Sequence, residues 1–255
     1  MNRFFLSILL LCLAPMLVAA DKPLLVPDIS SRQVQIRYSF TGAQLLLFGA
    51  VIYPGGRPPD RTLDIAVVLR GPVQPILVRE KQKIAGIWMN ADSNRFRSAP
   101  SYYAVASSRP ISDLLDERTA AIYELGVHNL QLSPGGGALP EKERRFEAGL
   151  LDVRSRSGVY SESPHGVEIT SGVLYRAVIT IPSQVPVGTY TAETFLIDRH
   201  KVIAAATRDI QINKSGFERY VALAARRHRF LYGLACVLLS LGLGWAAAMA
   251  FRRRF

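Results

Sequence analysis

Four histidines, His128, His165, His200 and His228, are the first candidates for chemistry. No two share the close spacing by which imidazoles on one element ligate a metal. Neither cysteine can help, because Cys12 and Cys236 lie in apolar segments near opposite ends of the chain. His165 and Glu168 form a His-x-x-Glu pair, which is too common to define a site. Gly135, Gly136 and Gly137 lack the preceding strand and the following lysine that let a phosphate loop surround an anion. No Gly-x-Ser-x-Gly elbow occurs, and the acidic residues are scattered. Asn213-Lys214-Ser215 matches a glycosylation acceptor, a short pattern with little weight. The residues therefore predict no catalytic group, cofactor or metal site. A hydrolase whose residues meet only in the fold would leave no such trace.

The more specific spacing lies in an uncharged run, Phe230–Phe251. Cys236, Ser240, Gly244 and Ala248 recur at every fourth position. On a helix they form one line of small side chains, against which a second helix can pack closely in lipid. The run is long enough to cross a hydrocarbon layer of about 30 Å. Tyr232 and Trp245 sit near its two ends, as interface aromatics do. Arg226, Arg227 and Arg229 precede it, and Arg252, Arg253 and Arg254 follow it, so loop charge alone does not orient it.

Orientation comes from the other end. Arg3, the apolar run Phe4–Val18 and the small residues Ala19 and Ala20 read as a signal peptide over residues 1–20, with an uncleaved anchor as the alternative. Export followed by stop-transfer puts residues 21–229 outside the inner membrane and leaves residues 252–255 in the cytoplasm. Arg226, Arg227 and Arg229, in a basic juxtamembrane segment (residues 216–229), are then expected to contact lipid headgroups. The exported region has no cysteine, so an ordinary hydrophobic core must hold it. Setting aside Arg3 and the three C-terminal arginines leaves 27 of the 31 Lys and Arg residues against 20 acids. The basic balance suits a membrane surface, while export argues against nucleic acid.

Strand patterns flank a helical middle in residues 21–215. Val34–Phe40 alternates, Gln44–Tyr53 suits a fully buried strand, and Leu63–Leu69, Gln74–Arg79 and Ile84–Met89 follow. Leu174–Ile181, Thr189–Ile197 and Val202–Ile212 form a second block, with a polar hairpin turn at Asp198–Lys201. Between them, Pro110–Leu125 and Pro140–Arg156 read as helices. The first has a stripe of Ile111, Leu114, Leu115, Ile122 and Leu125, the second one of Phe146, Leu150 and Val153. The fold class is mainly β: an immunoglobulin-like β-sandwich with a helical insertion at about 98–160, plus one C-terminal transmembrane helix. Two small β domains are the alternative. The corner Pro186, Gly188 and Tyr190 sharpens the sandwich reading, because many sandwiches hold this connection with a tyrosine hydroxyl. Trp88 is a candidate core residue on a central strand.

Arg154–Glu162 (RSRSGVYSE), Leu174–Ala177 (LYRA), the proline-glycine-tyrosine corner, Lys214–Arg219 (KSGFER), the span and its arginine tail follow in order. This order resembles a family of predicted transmembrane proteins from alphaproteobacteria over most of the chain, most clearly from Arg154 onward. The resemblance implies an inner-membrane protein with a periplasmic domain and brings no catalytic residues with it. Members of the family tend to be encoded near multipass permeases resembling sulfite exporters. The expected function is a non-enzymatic interaction or transporter-accessory protein, with membrane lipid and a multipass transporter as partners. A periplasmic ligand-binding or sensing module is the alternative.

Overall fold

The computed structural model describes residues 23–31, 33–36, 42–59, 61, 63–137, 139–214, 221 and 225–252. The expected signal peptide (residues 1–20), residues 37–41, most of the expected juxtamembrane segment and the tail after Arg252 lie outside the described residues. The chain is mainly β, with one apolar C-terminal helix.

Two large sheets carry the body. Sheet A has the order β1 (Leu24–Ile29), β3 (Ala43–Ile52), β11 (Leu174–Ile181), β10 (Val167–Thr170). Sheet B has the order β2 (Gln33–Ile36), β13 (Lys201–Lys214), β12 (Gly188–Asp198), β4 (Asp64–Arg70), β7 (Tyr103–Ser107), β9 (Tyr160–Pro164). Strands from the two ends of the chain thus pair directly, β3 with β11 and β4 with β12.

Sheet A is wet on its outer face, and its sequences alternate accordingly. In β11, Tyr175, Ala177, Ile179 and Ile181 point inward while Leu174 and Val178 are exposed. β3 corrects an expectation, because it is not buried on both faces. Leu45, Leu47 and Val51 face the core, whereas Phe48 and Ile52 face outward. β4 does lie deep, with every residue from Ile65 to Leu69 buried. One face of sheet B packs on sheet A, and the other is covered by the helical segment. Buried residues of both sheets and of that segment (Leu114, Leu125, Val127) form one hydrophobic cluster. Each such aliphatic side chain contributes about 1.5–3 kcal/mol on burial.

β1 is an edge strand that pairs only with β3. It contains Pro27, which has no amide hydrogen to give a ladder, and the Pro27 carbonyl accepts a 3.2 Å hydrogen bond from Arg208 Nε.

The helical insertion is shorter than 98–160, since residues 87–100 and 103–107 are strand. It connects two parallel neighbours, β7 and β9, a connection that needs a long crossover. The helix expected over Pro110–Leu125 is broken into α1 (Ile111–Leu114) and α2 (Glu117–Ile122). Asp116 caps α2 by accepting from Thr119 N at 3.2 Å, a local bond that competes with a continuous helix. Ile122 points to solvent at 63% exposure instead of joining the stripe. The second helix, α3 (Pro140–Arg156), has the expected bounds, but Val153 is exposed and Leu151 is buried in its place.

The largest departure is a long hairpin. Gln74–Arg79 and Ile84–Met89 are parts of β5 (Val73–Ile84) and β6 (Ile87–Pro100), which with the short β8 (Ser133–Pro134) make sheet C. Ala85 (φ 49°) and Gly86 (φ 86°) form the two-residue turn, both at the positive φ of a tight hairpin. Near its base, Phe96 packs with Phe146 and Leu150 of α3 in a small separate cluster. Arg199 and His200 (φ 48° and 63°) make the β12–β13 turn in the same way.

The corner has the expected geometry. Tyr190 is fully buried, and its hydroxyl donates to Pro186 O at 2.7 Å. Its ring sits 6.1 Å from that of Tyr102, and a Cβ on Gly71 would lie 2.9 Å from Tyr190 Cε1. Tyr190→Phe keeps the ring and strands one carbonyl. It should cost about 1–2 kcal/mol in chemical denaturation with an unchanged denaturant slope. A loss below 0.5 kcal/mol, the usual size for a surface substitution, would show that the hydroxyl does not pin the corner.

Candidate functional site

α4 (Arg229–Arg252) is the long apolar helix, and its segment Arg229–Met249 has a mean hydropathy of 1.9 with none of it buried. Cys236, Ser240, Gly244 and Ala248 all lie on it and are exposed. A Cβ at Gly244 would meet nothing within 4 Å. Ser240 spends its hydroxyl on its own helix, donating to Val237 O at 2.9 Å, so the line presents no unpaired donor to lipid. Arg226 and Arg227 are helical and exposed just before α4, and Arg229 begins it. The three expected headgroup-contacting arginines are thus brought together at one end of the span.

Tyrosines organise the polar interior. Beside Tyr190, the hydroxyl of Tyr102 donates to Thr180 O (2.8 Å), that of Tyr160 to Pro100 O (2.6 Å) and that of Tyr53 to Gly172 O (2.7 Å). Tyr103 donates to Glu124 O at 2.6 Å and accepts from Gly126 N at 3.0 Å. Burial raises each of these phenols above its ordinary value, to about 12 for Tyr160 and Tyr190. Arg70 lies in the same region, 2.6 Å from Glu124 and 3.5 Å from Glu193, and donates to Tyr123 O at 3.0 Å. Glu162 accepts from Val127 N. These groups tie the helical segment to β4, β7 and β9. The sequence offered no spacing by which to find them.

One cluster holds the residue types of a hydrolytic triad. Ser108 Oγ donates to Asp64 Oδ1 at 2.8 Å and accepts from Ile65 N at 3.3 Å. His165 Nδ1 lies 3.1 Å from the Ser108 carbonyl oxygen and makes no bond to its hydroxyl. A nucleophilic serine needs its base on the hydroxyl proton, which here goes to the carboxylate. Burial alone would raise the Asp64 pKa. Hydrogen bonds from Arg109 and Ser108, with the Arg109 charge, hold it below the ordinary carboxylate value. The arrangement fixes loops.

Shallow hollows mark the described surface. A 560 Å³ hollow between His128 and α3 is lined by Arg144, Glu147 and Asp152. Burial and the neighbouring Glu143 raise the Glu147 carboxyl. A 290 Å³ hollow lies between the hairpin and α3, and a 340 Å³ hollow lies beside β7 and β11. Among the described residues, no three His, Cys, Asp or Glu side chains cluster as metal ligands. His200 sits in its hairpin turn.

Trp88 overturns an expectation. It is 67% exposed beside the hairpin turn, with Ile84, Ile87 and Met89 also exposed. The outer face of sheet A is also apolar in part, with Leu24, Val26, Phe48, Ile52, Leu174 and Val178 exposed.

No curated protein matches the chain in sequence. Among solved structures, the sporulation control protein Spo0M from Bacillus subtilis aligns with 81% of this chain at 10% identity, with a TM-score of 0.32. The chain spans 56% of that protein's length. A family profile matches residues 24–253, covering the β body and the apolar helix together. The chain belongs to the family described as "Putative transmembrane protein (Alph_Pro_TM)".

Proposed function

We propose that this is a single-span inner-membrane protein whose periplasmic β body is an immunoglobulin-like sandwich, and that it acts without catalysis, as the accessory of a multipass transporter. One observation carries this reading. The line Cys236, Ser240, Gly244 and Ala248 lies open along a fully exposed apolar helix. In lipid the hydrophobic effect does not drive helices together, so a close approach over small residues is what makes a partner helix bind. The tyrosine corner supports the sandwich. The non-catalytic reading is supported by how the polar groups are used. Phenols hold loop carbonyls, and the carboxylates of Asp64, Glu124 and Asp92 pair with cations. The leader-like residues 1–20 and the stop-transfer run support a reading with the body in the periplasm, the C-terminus in the cytoplasm and Arg226, Arg227 and Arg229 at the outer headgroups.

Gly244→Leu combined with Ala248→Leu fills the line without adding charge. Recovery of a crosslinked membrane partner should fall about tenfold while the span still inserts. Unchanged recovery would remove the docking claim. A periplasmic ligand-sensing module is the second reading, favoured only by the 560 Å³ hollow with Arg144, Glu147 and Asp152 around it. Its side chains are largely exposed, whereas small-molecule sites usually enclose most of the ligand.

A further inference from the structure

The β5–β6 hairpin is about 40 Å long at 3.3 Å per residue. Its outer part is exposed on both faces, every residue from Lys81 to Ala91 included. Its pairing register separates two chemistries. On one face, Glu80 lies opposite Asp92, and cations of α3 neutralise both: Lys142 pairs with Asp92 and Arg145 with Glu80 and Asp92. On the other face, Lys83 lies opposite Trp88, Lys81 opposite Asn90, and Arg79 opposite Ser93. Among the described residues, Arg79, Lys81 and Lys83 make no ion pair. The end of the hairpin is apolar: Ile84, Ile87, Trp88 and Met89 are 48%, 70%, 67% and 49% exposed.

We infer that this tip dips into the headgroup layer of an anionic phospholipid membrane, with Trp88, Ile87, Ile84 and Met89 in the interface and Arg79, Lys81 and Lys83 on lipid phosphates. Three observations select a bilayer over another protein. Cations without an ion pair, Arg79, Lys81 and Lys83, share the face of Trp88 and lie just behind the apolar end, matching the sign of anionic headgroups. Tryptophan beside lysine is the pairing that settles at a membrane interface. The third is position in the fold. Arg70, where β4 hands over to β5, pairs with Thr191 near the start of β12, and Gly188 pairs with Ile212 near the end of β13. The hairpin therefore leaves sheet B at the same end from which the chain departs for α4. The residues between Lys214 and Arg229 can hold the body no more than about 50 Å from the span.

This inference rests on the tether of the preceding reading, and one experiment separates them. The chain has two tryptophans, so Trp245→Phe leaves Trp88 as the only indole. The full-length variant is reconstituted into vesicles with brominated acyl chains, made of phosphatidylcholine alone or with phosphatidylglycerol. Trp88 emission should be blue-shifted, and quenched about threefold more strongly with phosphatidylglycerol. Lys81→Glu with Lys83→Glu, both at exposed positions, should return quenching to the phosphatidylcholine level. Water-like, unquenched emission in both lipids overturns the inference, as does quenching indifferent to lipid charge. A blue shift without bromolipid quenching also overturns it and assigns the tip to a protein surface. If the protein floats with the vesicles in each of these cases, the tether stands and only the hairpin claim falls. If it fails to float, the tether itself is lost.

Discussion

Between pH 10 and 12 the β body will unfold as a unit, before its tyrosines titrate one by one. Tyr160 and Tyr190 ionise at about 12 in the folded state against 10.0 when exposed, because burial disfavours the phenolate. Burial pushes Tyr102 and Tyr103 up as well. The neutral phenol is the form the fold favours. The contribution is therefore complete below the unfolded value near 10 and is lost as pH rises toward the folded value. A two-unit shift is worth about 2–3 kcal/mol per group. Tyr160 and Tyr190 together, at about 4–6 kcal/mol, reach the lower end of the whole stability of an ordinary domain, about 5–15 kcal/mol, and Tyr102 and Tyr103 add to the loss. Each phenolate would also confront a carbonyl oxygen that its hydroxyl had been serving. Tyrosinate absorbance and circular dichroism should share one steep midpoint. A shallow absorbance titration near pH 10 with unchanged dichroism would show that these hydroxyls are not buried donors.

Tyr103→Ala should be the most damaging single change in the body, at about 3–5 kcal/mol, lowering its melting temperature by about 10 °C. The ring is fully buried and meets Tyr160 edge-on at 6.2 Å between centroids. The hydroxyl holds Glu124 O and Gly126 N, residues with φ of 52° and 106°. That turn delivers the Glu124 carboxylate to Arg70 at 2.6 Å. Truncation thus opens a cavity and also frees the turn beside a half-buried ion pair. Tyr103→Phe separates the two effects, because it keeps the ring and should cost only about 1–3 kcal/mol. Equal losses for the two variants would place the whole effect in the hydrogen bonds.

Much of this body was legible before the fold was known, for reasons that differ by element. β11 runs over Leu174–Ile181 as expected, because strict alternation on a sheet with one wet face has a single solution. α3 has proline at its start and glycine just past its end, punctuation that needs no tertiary knowledge. The corner was readable because two prolines, a glycine and a tyrosine leave the chain little freedom. The hairpin was not. Glu80–Lys83 is polar throughout, so its period faded, although ladder hydrogen bonds run through it regardless of side chain. Trp88 reads in the sequence as a candidate core residue on a central strand, yet a strand projecting from the body has no core to give it. β1 leaves little trace in the sequence because Pro27 speaks against a strand unless the strand lies at an edge. β7 does not stand out from the expected insertion because it is too short to show a period before the helical pattern starts. The tyrosine clips carry no sequence spacing at all, since their partners are carbonyls up to 119 residues away.

Pro27 has a consequence for life at high density in a membrane. An open sheet rim is a template on which a neighbour can stack, and tethering copies in two dimensions makes such collisions frequent. Midway along β1, an incoming strand would meet a nitrogen without hydrogen and an oxygen already held by a guanidinium. At that point the β1 rim is a poor template for a growing fibre.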